Sequence, residues 1–312
     1  MKSVVAVALL LLAPLTLAEE GGSGHYVPGS MASFMDGVSP TPVFLARINY
    51  LYYKGDIEAT RPLPIAGLST LGAEATSNAL GLTLFWAPDI DLGERWSYGM
   101  SLTVPYTWMD VEADVVLPGA GTTVRRSSSL DGIGDLVLQP LMFNYHCNDD
   151  LNFNFRISAY APTGRYRVGR LANTGKNYWS IEPTFGWMYF GKENGREASL
   201  FLGYTHNWEN SDTNYETGSQ LHFDGTLAQH FPLWNGLFGV GLNGFWYEQV
   251  EGDSGAGATF GDFRSRTAGL GPVISYASSD GHTIAELKWL KELETRNRLE
   301  GDYLWFKLLH KF

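Results

Sequence analysis

Gly239-Val240-Gly241-Leu242-Asn243-Gly244 has the G-x-G-x-x-G spacing that lets a backbone approach a pyrophosphate. That chemistry needs a helix to start at the last glycines, so that its free N–H groups face the phosphates. Here Phe245-Trp246-Tyr247-Glu248-Gln249-Val250 follows, an aromatic, strand-like run. These glycines read as points in a curved strand, and no cofactor is expected. Asp131-Gly132-Ile133-Gly134-Asp135 offers two carboxylates to a cation. It lacks the spaced oxygen ligands and bidentate Glu of a calcium loop, so a turn leading into a strand is expected and no metal. His206 and Ser211 suggest the Ser-His pair of a barrel-wall hydrolase, which requires the base within hydrogen-bond reach of the hydroxyl. His206 falls on the apolar face of its segment, Ser211 falls in a loop, and no orienting motif accompanies them. No enzyme is expected. Cys147 is the single cysteine, which excludes an internal disulfide and a cysteine metal cluster and reads as an inert thiol.

A different set of polar residues recurs at every second position. In Leu151-Asn152-Phe153-Asn154-Phe155-Arg156-Ile157-Ser158-Ala159-Tyr160, the odd positions are apolar and the even ones mostly polar. A strand turns neighbours to opposite faces, so this segment has one face for lipid or a core and one for water. Twelve such strands are read at 43–54, 79–87, 97–108, 134–145, 151–161, 179–190, 198–208, 219–230, 237–249, 263–276, 282–290 and 302–312. Segments 55–78, 109–133, 162–178, 209–218, 250–262 and 291–301 connect them as long loops rich in Gly, Ser, Thr and charge. Between them fall shorter turns at 88–96, 146–150, 191–197, 231–236 and 277–281. Long loops on one side and short turns on the other are the pattern of an all-β, antiparallel up-and-down transmembrane barrel. A soluble sandwich has no reason to sort its loops in this way.

Aromatic girdles are expected where Tyr52, Tyr53, Trp86, Trp96, Trp108, Tyr145, Tyr160, Trp179, Tyr189, Trp208, Trp246, Tyr247 and Trp289 approach strand ends. The chain ends at Phe312, with His310, Leu308, Phe306 and Leu304 on the same face. A terminal aromatic of this kind resembles the signal read by barrel-assembly machinery, a partner expected here, although His310 departs from the usual apolar residue. The opposite faces would line the lumen with Arg47, Asn49, Asn152, Asn154, Arg156, His222, Asp224, Asn243, Glu286, Lys288 and Lys307. Either these residues line a narrow pore for a small solute, or they pair with one another and fill it.

Residues 1–18 read as a signal peptide: Lys2, an apolar run from Val4 to Leu12, Pro14, and the small-residue end Thr16-Leu17-Ala18. The run is shorter than the roughly 20 residues of a membrane-spanning helix. Its removal takes one of 22 basic residues and none of the 33 acidic ones, leaving 21 against 33, a net charge of −12. That balance argues against a nucleic-acid partner, which needs clustered Lys and Arg. Segment 19–42 is Gly-rich, contains Pro28, Pro40 and Pro42, and does not alternate. It is expected either to tuck into the periplasmic mouth as a partial plug or to hang as a loose tail. The barrel itself is expected to span 43–312, in the outer membrane, with both termini periplasmic.

Several stretches resemble a known family. They are Gly21-Gly22-Ser23-Gly24-His25-Tyr26-Val27-Pro28-Gly29, Gly132-Ile133-Gly134-Asp135 with Pro140, and Ala161-Pro162-Thr163-Gly164-Arg165-Tyr166 followed by Asn173 to Trp179. Tyr215-Glu216-Thr217-Gly218 and Gly269-Leu270-Gly271-Pro272 add later segments. Together they resemble the MetA-pathway of phenol degradation family of outer-membrane proteins, across almost all of the chain after the signal. The resemblance implies a barrel that moves small, often hydrophobic or aromatic, compounds, and it supplies no catalytic residues. The expectation is a monomeric passive channel in outer-membrane lipid. Its competitors are a closed structural barrel whose loops bind partners and a barrel-wall hydrolase.

Overall fold

The computed structural model describes residues 20, 22–117, 122–259 and 264–312, with the side chains of 59–62 left aside. The signal-peptide reading lies outside them. The strands are β1 (Val43–Ile65), β2 (Leu68–Ala87), β3 (Trp96–Val116), β4 (Thr123–Ile133), β5 (Leu136–His146), β6 (Leu151–Ala161) and β7 (Ser180–Phe190). They continue with β8 (Arg196–Asn207), β9 (Gln220–Leu233), β10 (Gly236–Gln249), β11 (Arg266–Ser278), β12 (Thr283–Arg296) and β13 (Glu300–Lys311). All pairings are antiparallel between neighbours, and β1 closes the sheet on β13 with Leu45 opposite Lys311. Both β4 and β5 pair with β3, β4 along its far half and β5 along its near half, so the two occupy one position in the wall. The result is a closed twelve-stranded up-and-down barrel.

Through the middle of the wall, apolar residues point outward. Ile48, Leu82, Phe155, Phe185, Leu242 and Leu287 are all exposed, as a lipid-facing band requires. Their neighbours along each strand point inward and are polar or small. Trp86, Trp96, Trp108, Trp179, Trp208 and Trp289 remain exposed on the outside. Three residues assigned to the girdles from sequence do not belong there. Tyr160 and Tyr247 are buried in the barrel interior, and Tyr53 packs inward against Tyr303. Each shares the inward phase of its strand.

The first three strands run well past their expected ends. Segment 55–78 is not a loop: β1 and β2 stay paired, with one register shift between Ile57 and Pro62, to a two-residue turn at Ala66-Gly67, both with positive φ. Segment 109–133 likewise continues β3 and forms β4. In this extension the alternation reverses. Asp56, Glu74, Asp110 and Glu112 face out, while Ile57, Leu63, Ile65, Ala73, Val111 and Ala113 form a buried core capped by Leu171, Ala172 and Leu299. Outside the bilayer the outer face meets water, so the apolar side must turn inward. The projecting mass at this long-loop end is therefore sheet as well as loop.

Between β4 and β5 the wall strand is broken at Gly134 and Asp135, the segment expected to be a turn. The 162–179 loop packs over the break. Thr163 Oγ1 and Thr174 Oγ1 donate to the carbonyls of Gly134 and Ile133, and the N–H groups of Gly164 and Lys176 donate to Asp135 at 2.8 and 2.7 Å. Gly164 and Gly175 pass so close that a Cβ on Gly175 would lie 2.7 Å from Gly164 carbons. The glycines of Gly239–Gly244 lie inside β10, without a following helix.

Candidate functional site: the occupied lumen

The chain leading into β1 runs back inside the barrel. At the short-turn end, Val38 donates to Asn144 and packs with Met35, Leu45, Phe85, Met142 and Leu309. Phe34–Asp36 form one 3-10 turn, at whose start the Ser33 N–H donates to the Asp36 carboxylate. Asp36 pairs with Arg47 at 2.8 Å and with Lys307 at 3.2 Å, and its carbonyl accepts from Arg156. Further along, Phe34 N–H donates to Glu197, and Trp305 donates to the Pro28 carbonyl at 3.0 Å.

Asp224 takes the Gly29 N–H at 2.7 Å and the Tyr26 hydroxyl at 2.8 Å, while the Tyr26 ring stacks on His222 with centroids 3.6 Å apart. His25 lies between Tyr160 and Tyr178 and hydrogen-bonds Ser180 and Asp135. At the long-loop end, Lys176 holds Ser23, and Glu20 accepts from Tyr166 and Asn210. These contacts extend along the whole lumen, further than a plug at one mouth requires.

Burial sets the ionisation of this segment. It lowers His25, against the pull of Asp135, so the imidazole is neutral near pH 7 and the contact is a hydrogen bond. Burial would raise Asp36, but Lys307, Arg47 and Arg156 outweigh it and hold the carboxyl well below the usual carboxylate range. Burial and then Asp224 push the Tyr26 phenol far up, so it stays a donor. Tyr166 is raised by burial and by Glu20.

All eleven residues named from the sequence point into the barrel. Asn152 hydrogen-bonds His146 near the short turns, and Asn154, Arg156 and Asn144 form a chain beside it. His222 lies 3.1 Å from Asp224 and 3.6 Å from Glu182. Asn243 donates to Gly225 and Thr226, while Glu286 sits 3.3 Å from Lys288 and 3.8 Å from Lys307. Asn154, Arg156, His222, Asp224, Asn243, Glu286, Lys288 and Lys307 are buried against the N-terminal segment, the wall or one another, and Asn152 is half-buried. Arg47 and Asn49 reach open space inside the lumen.

That space is a cavity of about 400 Å³ between the N-terminal segment and the β1–β5 side of the wall. Its wall is the inward column of β2, Ala73, Ala75, Ser77, Ala79 and Gly81, with Pro105, Thr107, Met109 and Val111 of β3. The floor is Arg47, Asn49, Thr83 and Thr103, one inward step above Leu45 and Phe85.

Sequence reasoning missed Asp36, Glu182, Glu197 and Glu292, all buried. Asp36 gave no signal, because its segment does not alternate. Glu182 and Thr184 did, being the polar phase of Ser180-Ile181-Glu182-Pro183-Thr184. His206 points outward and bonds Ser219 at 3.3 Å rather than Ser211. Among the described residues, no group of three or more His, Cys, Asp or Glu converges as for a metal.

The profile of the family described as "Putative MetA-pathway of phenol degradation" matches residues 59–308. The chain belongs to this family. Among solved structures, it is similar to an outer membrane channel of Pseudomonas putida F1, at 16% identity and a TM-score of 0.66, over 88% of this chain and 97% of that one. That likeness shows the fold, an outer-membrane barrel. Also similar are the beta domain of a Bordetella autotransporter (11%, TM-score 0.48, 86% and 100% covered) and a Pseudomonas aeruginosa FadL homologue (8%, 0.38, 87% and 90%). No curated protein matches the chain.

Proposed function

We propose that this family member is a monomeric outer-membrane channel for the passive movement of small, aromatic or hydrophobic compounds. The N-terminal segment acts as its plug, and both chain ends lie on the periplasmic side. The observation that carries this reading is the cavity. A barrel serving only as a scaffold would gain by filling it, yet one flank of the lumen keeps alanines, a serine and a glycine where larger side chains would close the space. The opposite flank is packed solid by the segment. The exposed outer band supplies the contact with outer-membrane lipid, and Phe312, 75% exposed at the end of β13, suits recognition by assembly machinery.

A closed barrel is the second reading. Val38, Leu45, Phe85, Met142 and Leu309 seal the short-turn end below the cavity, so passage requires the segment or its seal to shift. The hydrolase pair His206 and Ser211 has less support, since His206 bonds Ser219 instead. Single-channel recording in planar bilayers decides between channel and closed barrel. Discrete openings, enlarged by deleting residues 22–40 behind an intact leader, are expected. Silence from both proteins, each folded and heat-modifiable on a gel, would leave the closed barrel.

A further inference from the structure

The cavity is chemically two-ended. Its wall offers Ala73, Ala75, Ala79, Met109 and Val111, while its floor offers Arg47 with Asn49, Thr83 and Thr103. The floor is also where positive charge is in surplus. Arg47, Arg156, Lys288 and Lys307 all act on Asp36, while Glu286 between the two lysines and Glu182 near Arg156 are the further carboxylates, leaving four cations to three acids. Arg156 gives its N–H groups to neutral acceptors, namely Asn154, the Met31 sulfur and the Asp36 carbonyl.

Arg47 engages Asp36 through Nη1, but its Nε is buried without a hydrogen-bond partner. A buried, unmade hydrogen bond of a charged group is costly, and an anionic oxygen is the acceptor that relieves it best. The other carboxylates bordering the cavity are already engaged: Asp135 by His25, Gly164 and Lys176, and Glu20 by Tyr166 and Asn210.

We propose that the cavity selects small amphipathic anions, with an aromatic or alkyl body along the β2–β3 wall and a carboxylate at Arg47. This rests on the channel reading and narrows it. Asn49 donates to Thr83, and Thr83 and Thr103 share a 2.7 Å hydrogen bond, so the neighbouring donors can turn to the same carboxylate. A neutral amide isostere fills the wall equally well and can also accept from Arg47, but it brings no charge to pair with the guanidinium. The volume, about 400 Å³, lies in the range of small-ligand sites. Discrimination therefore comes from the charged end.

The test is single-channel recording at pH 7 with benzoate and its neutral isostere benzamide, together with the reversal potential in a KCl gradient. In the wild type, benzoate should reduce current at concentrations about tenfold below benzamide, and the reversal potential should favour chloride. Arg47→Gln should bring the two compounds level and shift the potential toward potassium. Arg47→Lys should retain the charge preference. The wild-type comparison stands even if a variant fails to fold. A conducting channel that prefers cations, or that does not distinguish benzoate from benzamide, overturns this proposal and leaves the channel reading intact. A folded barrel that never conducts overturns both.

Discussion

At Asp36 one carboxylate receives Arg47 at 2.8 Å, Lys307 at 3.2 Å and the N–H groups of Ala32 and Ser33. Removing the acid strands two buried cations, so Asp36→Asn should lower stability at pH 7 by about 3–5 kcal/mol, read from urea unfolding in detergent. Because its carboxyl is held below the unfolded value of about 3.9, this contribution is complete above that value and fades as pH falls through the folded one. The difference between wild type and variant should therefore shrink below about pH 4. A difference that is constant from pH 7 to pH 3 would mean that the cations are not its source.

Gly29 is as exacting: its φ is +77°, and an added Cβ would lie 2.5 Å from Leu290 Cδ1. Gly29→Ala should dislodge the segment, with higher conductance and faster proteolysis of residues 22–40. Wild-type values of both would argue that the segment is held elsewhere. The partners of these two residues were hidden in the sequence. A non-alternating, Gly- and Pro-rich stretch does not reveal which wall it will meet, whereas Arg156, His222 and Lys307 were legible as the polar phase of their strands.

For the strands, what could be read depended on the solvent outside them. From β6 to β10 the expected ends fall within a few residues of the observed ones, because apolar-out, polar-in holds along their length. In β1 to β3 the pattern holds only to about Lys54, Ala79 and Trp108, then inverts, with acids outside and Ile57, Leu63, Val111 and Ala113 inside. A reader following lipid-facing alternation stops where lipid stops. The inversion consequently locates the membrane boundary. Leu82→Arg, on the outer face within the band, should cost about 2–4 kcal/mol in folding into vesicles. Asp56→Arg, on the outer face of the extension, should cost under about 0.5 kcal/mol. Equal penalties at both positions would place the boundary beyond Asp56.

For the molecule as a whole, the barrel and its N-terminal segment stabilise each other. The segment brings Asp36 to Arg47 and Lys307, and it covers Asp224 and His222 with Tyr26. Deleting it would therefore open the lumen and also leave buried charges unpaired, and raised conductance alone could mean either a lost plug or a loosened wall. Supplying the segment separately distinguishes the two. A synthetic peptide covering residues 22–40, added to the deleted barrel on the short-turn side, should lower conductance toward the full-length value and raise the unfolding temperature. The same peptide with Asp36 replaced by Asn should do both less well, because its anchor to Arg47 and Lys307 is gone. If the barrel without the segment conducts more but ignores the peptide, the larger current reflects a distorted wall. A plug held by its own contacts must be able to return to them.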